Sequence, residues 1–128
     1  MITHPTAAEL AQAVAAFDAE FAAPGDARHA FLSRVADNAR AVLTREAERG
    51  AALEAEATTR LTELLEETGD FATLNHQLCL ALRSGLASPL DARVLAHLKA
   101  TAIGQIAIDQ PNYGGLAALL ASVDGAYG

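Results

Sequence analysis

The sequence predicts an all-α protein, a single-domain bundle of about five mostly antiparallel helices. Three observations predict it. Of 128 residues, 31 are alanine and 18 leucine, aromatics are 5% and tryptophan is absent. Alanine is the best helix former, and the β-branched and aromatic residues that suit strands are few. Apolar residues return every three or four positions along most of the chain, the period of a helix with one buried face. Glycine and proline punctuate the intervals between these stretches, as short joints require. The length suits one domain with a real core.

The first helix begins near Pro5 or Thr6. "TAAE" is a capping box, in which Thr6 caps and Glu9 reaches back to the free amide. Leu10, Val14, Phe17 and Phe21 share one face, and "APGD" at 23–26 ends the run, with Asp26 the cap of the next helix. The second helix is expected from about Ala27 to Arg49, with Gly50 as its left-handed C-cap. Its apolar stripe holds Phe31, Leu32, Val35, Ala39, Val42 and Leu43. The third is expected over Ala52 to Thr68, ending at Gly69, with Leu53, Ala57, Leu61, Leu64 and Leu65 inward. Glu56 and Arg60 pair on its outer face, four apart and in the favourable order. The second and third helices should therefore form a hairpin at Gly50.

Asp70 or Thr73 caps the fourth helix, which buries Leu74, Leu78, Ala81 and Leu82 and closes at Gly85. "SPLD" at 88–91 opens the fifth: Ser88 as cap, Pro89 at the first helical position and Asp91 in place of the box glutamate. This helix runs to about Asp109 and stops before Pro111. Residues 1–113 thus form the helical bundle domain. Residues 114–128 are a Gly-rich tail with room for a short helix, Leu116 to Ser122.

The net charge of −7 and pI near 4.9 set the surface against phosphate backbones and anionic membranes, so neither nucleic acid nor membrane is an expected partner. The lone Cys79 fits a reducing cytoplasm. The start "MITHPTAAEL" lacks a basic region and apolar run of the signal-peptide kind, and no apolar run reaches the ~18 residues of a membrane span. A cytoplasmic location is expected.

The four histidines, His4, His29, His76 and His97, are scattered, and none has a second histidine at metal-ligand spacing. No nucleophile elbow, phosphate loop, dinucleotide fingerprint or CxxC occurs. Cys79 lies one turn after His76 but reads as a buried thiol. Glu63 and Glu67 lack a histidine to complete a two-metal site. No catalytic residue, metal or cofactor is expected.

What remains is a polar set placed among apolar residues. Arg34 and Asn38 flank the stripe of the second helix, and Asn75 and Arg83 border that of the fourth. On the fifth, His97, Thr101, Gln105 and Asp109 recur every four residues beside Val94, Leu95, Leu98, Ala102 and Ile106. A polar group buried without a partner costs on the order of 1–3 kcal/mol. These residues must therefore bond to each other, to backbone, to water or to something external. Bracing of the bundle is one reading, with Asp109 accepting from the loop amides after the helix. A ligand or partner surface is the other.

Four segments, "PTAAELAQAV", "FLSRVADNARAVLTREAERG", "LNHQLCLALRSG" and "LAHLKATAIGQIAIDQPNY", resemble in this order the blocks of a small bacterial family, DUF6285, from Pro5 to Tyr113. The "RVADNA" and "AIDQPNY" blocks are the most specific. The resemblance directs attention to Arg34, Asn38, Glu46, Asn75, Arg83, Asp109, Pro111 and Tyr113. Gln105 departs from the family's pattern, where a basic residue is common, which weakens anion binding at that position. Relatives of this kind are typically encoded beside kinases resembling aminoglycoside and choline phosphotransferases and beside acyl-CoA dehydrogenases. The resemblance therefore implies a non-catalytic accessory subunit of an aminoglycoside-phosphotransferase-like kinase acting on hydroxyacyl-CoA during acid catabolism. Arg34, Asn38, Asn75, Arg83, Asp109 and Tyr113 are its expected partner- or ligand-binding residues. The alternative is a stand-alone binder of an acyl-CoA or acyl group. An enzyme working through His76 or His97 ranks last. Leu116, Leu119 and Leu120 in the tail could support a homodimer.

Overall fold

The computed structural model describes residues 5–20, 25 and 27–124 and folds them into five helices, with no strand among them. These are α1 (Ala7–Glu20), α2 (Ala27–Leu65), α3 (Phe71–Ser84), α4 (Ala92–Asp109) and α5 (Leu116–Asp124). The class is all-α, as composition and spacing predict. Phe21, Asp26 and His4 lie outside the described residues.

The largest departure is at Gly50. No hairpin forms there, and α2 runs through it as one helix of 39 residues. A glycine inside a helix costs only about 1 kcal/mol relative to alanine. Gly50 stands between strong helix formers, with no proline or second turn residue to reinforce it. It is buried, and a Cβ added there would meet the Glu46 carboxylate at 2.6 Å. The helix ends earlier than Gly69, at Leu65, and Glu66 takes the left-handed conformation with φ of 56°.

The chain divides into two compact units, Met1–Gly50 and Ala51–Gly128. In the first, the capping box forms. Thr6 Oγ1 accepts from Glu9 N–H at 3.2 Å, and Glu9 Oε2 accepts from Thr6 N–H at 2.7 Å. That backbone bond and the Thr6 hydroxyl hold the Glu9 carboxyl below its ordinary pKa. Helix α1 has no buried residue. Its Leu10, Val14 and Phe17 line a shallow apolar groove of about 170 Å³ with Leu32, Val35, Ala36 and Ala39. Phe17 stacks on His29 with ring centroids 6.3 Å apart. Arg40 bonds Asp18 of α1 and, at 2.6 Å, Asp37 of its own helix. These carboxylates, Asp18 foremost, hold its guanidinium more firmly protonated. The expected stripe is only partly covered: Leu32, Ala39, Val42 and Leu43 are half-buried, but Phe31 and Val35 are 55% and 50% exposed.

The second unit has a true core. Leu61, Leu74, Leu78 and Val94 pack together, with Leu64, Leu65, Phe71, Leu82 and Ala87 against them. Asp70 caps α3, its Oδ1 accepting from Thr73 N–H at 2.8 Å, a bond that lowers its pKa. Gly85 closes α3 in the left-handed region at φ 78°. The start of α4 differs from expectation. Ser88 Oγ accepts from Leu90 N–H at 3.1 Å and Ser88 carbonyl from Asp91 N–H at 3.1 Å. "SPLD" is therefore a turn, with proline at its second position as such turns prefer. Asp91 is the N-cap, accepting from Arg93 N–H at 2.7 Å. At Gly104 α4 comes close to α2, where an added Cβ would stand 3.1 Å from Leu53 Cδ2. The tail helix α5 docks on α4 through Lys99 and Ser122.

Candidate functional site

Four residues apart in a helix is 400°, so each step of such a ladder drifts about 40° around the axis. The drift decides what the polar ladder of α4 can do. His97 sits on the inward face with Val94, Gly104 and Ile108 and is buried at 2% exposure. Thr101 follows on the same side. Gln105 and Asp109 have rotated away and are only half-buried. Gln105 Nε2 donates to Asp109 Oδ2 at 2.9 Å. Asp109 thus braces its own helix and does not take the loop amides. The exit is built from backbone: Gln110 N–H bonds Ile106 carbonyl at 2.7 Å and Tyr113 N–H bonds Gln110 carbonyl at 2.9 Å.

Opposite His97 stands Arg60 of α2. The spacing places Arg60 on an outer face with Glu56, but no such ion pair forms. Arg60 lies one residue before buried Leu61 and four before Leu64, at the edge of the apolar stripe, and is half-buried. Its Nη2 donates to Thr101 Oγ1 at 3.5 Å, a long bond. No carboxylate among the described residues pairs with it. Arg60 and His97 line one cleft of about 330 Å³ with Glu63, Leu64, Arg93 and Ala96. Arg60 Nε and His97 Nδ1 are buried and make no hydrogen bond. Two unpaired groups on one cleft are unusual, because each carries a desolvation cost of roughly 1–3 kcal/mol. Burial, and then the nearby Arg60 charge, push the His97 pKa below its ordinary 6.5. The ring is therefore neutral at pH 7. Among the described residues no three His, Cys, Asp or Glu side chains cluster as a metal site would require.

The family model for DUF6285, a domain of unknown function, matches residues 22–113, well over half of the chain. The chain belongs to the DUF6285 family. No curated protein and no solved structure matches it.

The residues that the DUF6285 resemblance singles out do not line this cleft. Arg34 and Asn38 are exposed on α2 within the first unit. Asn75 is half-buried on α3, Arg83 exposed in its last turn, Asp109 half-buried at the end of α4, and Tyr113 exposed in the following turn. The Tyr113 ring leans on Gly115, where a Cβ would come within 2.6 Å of it. Cys79 is a half-buried free thiol and His76 is exposed. Arg60 is the residue that pattern reasoning misses in this DUF6285 chain. The signal available was the four-residue spacing of Arg60 and Leu64 on one helix and of Arg93 and His97 on another.

Proposed function

We propose that this chain is a non-catalytic accessory protein that docks on an aminoglycoside-phosphotransferase-like kinase acting in hydroxyacyl-CoA catabolism. The observation that supports docking is the turn between α3 and α4. Leu86 and Leu90 there are 88% and 83% exposed, and Leu80, Leu95 and Leu98 on the flanking helices are between 43% and 49% exposed. Leu86 and Leu90, four residues apart in one connection, leave two large apolar side chains almost fully exposed, the kind of surface on which partners dock. Arg83, one turn before Leu86, adds the kind of side chain that anchors such surfaces. The kinase as partner rests on the family resemblance alone. No helix of the described residues is long and apolar enough to cross a membrane, so these leucines do not belong to a span.

The test is co-expression with an aminoglycoside-phosphotransferase-like kinase from the same organism. The pair is expected to co-purify, and the double variant Leu86→Asp, Leu90→Asp is expected to break the complex without lowering the melting temperature. Equal kinase activity with and without this chain, together with no co-purification, would overturn the proposal.

A further inference from the structure

The His97 cleft is separate from the exposed leucines and has a chemistry of its own. Its ionisable lining is two guanidiniums, Arg60 and Arg93, against one carboxylate, Glu63. Arg93 already has Asp91 at 3.9 Å, so Arg60 is the lining cation left to meet an anion, in a chain of net charge −7. The partly buried cation, Arg60, has no counter-ion among the described residues. Among the described residues its one hydrogen bond is the 3.5 Å contact to Thr101, and its Nε is buried and unbonded. His97, 98% buried, also leaves Nδ1 unbonded. A guanidinium presents a planar fork that matches a carboxylate with two parallel hydrogen bonds. Leu64 and Ala96 supply apolar wall beside it. A volume of about 330 Å³ stands at the lower end of the range for small-molecule sites, so the cleft admits a short acid with room beyond it.

We propose that this cleft binds a short aliphatic monocarboxylate, its carboxylate held by the Arg60 guanidinium and its alkyl tail laid on Leu64 and Ala96. Glu63 at the opening disfavours dianions, so inorganic phosphate is a poor occupant. His97 closes the inner wall beside Arg60, its Nδ1 shut away from solvent. This does not depend on kinase docking, because the residues concerned are not those of the exposed leucine surface.

The test titrates the full chain with sodium acetate, butyrate and hexanoate at fixed ionic strength. Sodium chloride and inorganic phosphate are the controls. The readouts are the NMR signals of the Arg60 Nε–H and the His97 ring, and the melting temperature. Saturable movement of both signals with butyrate is expected, along with a raised melting temperature. Arg60→Leu should abolish the response. Arg60→Lys, which keeps the charge and the alkyl stem but loses the fork, should weaken binding about tenfold. It remains informative if the leucine variant does not fold. Glu63→Gln should admit phosphate. Fixed signals with all three carboxylates, an equal response to phosphate or chloride, or full binding by Arg60→Lys would each overturn the assignment.

Discussion

The two compact units are built from similar helical sequence yet hold together differently. Among the described residues of Met1–Gly50, only Ala36 and Gly50 are buried, and α1 buries nothing. The pieces meet through an apolar groove, a stacked histidine and the carboxylates around Arg40. In Ala51–Gly128 a leucine cluster excludes water, and Ala57, Leu61, Leu74 and Ile108 have no exposure at all. The difference lies in side-chain size and phase. Leu10, Val14 and Phe17 of α1 meet Leu32 and Val35 across an open groove, so an amphipathic pattern survives without a filled interior. In the second unit leucines meet from α2 and α3, each burial contributing roughly 1.5–3 kcal/mol. The cleft is found in the unit with the firm core. That is physically reasonable, because unpaired polar groups such as Arg60 Nε and His97 Nδ1 persist only where surrounding packing holds them.

The largest expected effect tests that contrast directly. Leu61→Ala should destabilise the protein by about 2–5 kcal/mol, whereas Val35→Ala, at a half-exposed site, should stay within about 0.5 kcal/mol. Urea unfolding monitored by circular dichroism reads both. Equal losses would mean that the first unit has a core as filled as the second. Next in size is Gly104→Val. A branched side chain there must push Leu53 aside where even a Cβ stands 3.1 Å away, and overpacking of this kind costs about 1–3 kcal/mol. A neutral result in the same assay would show that α4 can move off α2 freely.

Legibility followed locality. The box of Thr6 and Glu9 and the Gly85 closure each depend on residues within one turn and are readable in the sequence, and of the two caps it offers for α3, Asp70 and Thr73, the structure takes Asp70. So was the leucine stripe of α3. The boundary at Gly50 was misread because a single glycine is a weak breaker, and nothing local reports that the flanking segments continue as one helix. Ser88 gave way to Asp91 because Ser-Pro-Leu-Asp satisfies a turn before it satisfies a helix start. The cleft was hidden for another reason. Arg60 and His97 lie on different helices, and Arg60 has a plausible local partner in Glu56. Only tertiary packing decides that it turns to Thr101 instead.

The smallest expected effect concerns pH, and it separates the units by a titrating group. Folding lowers the His97 pKa below 6.5 through burial and the Arg60 charge, with Arg93 and Glu63 as the other ionised groups lining the same cleft. Well above pH 6.5 the ring is neutral in both folded and unfolded chains, and no stability is at stake. As pH falls below 6.5 the unfolded chain takes up a proton that the folded chain refuses. Stability from this residue is therefore lost with falling pH, until the folded pKa is reached. His97→Gln should flatten the dependence of unfolding free energy on pH just below 6.5, relative to the unaltered chain. The measurement is a series of urea titrations in that window for both proteins. An identical slope in the two would mean that His97 is solvated enough to titrate normally, and the dry inner wall assigned to the cleft would have to be abandoned.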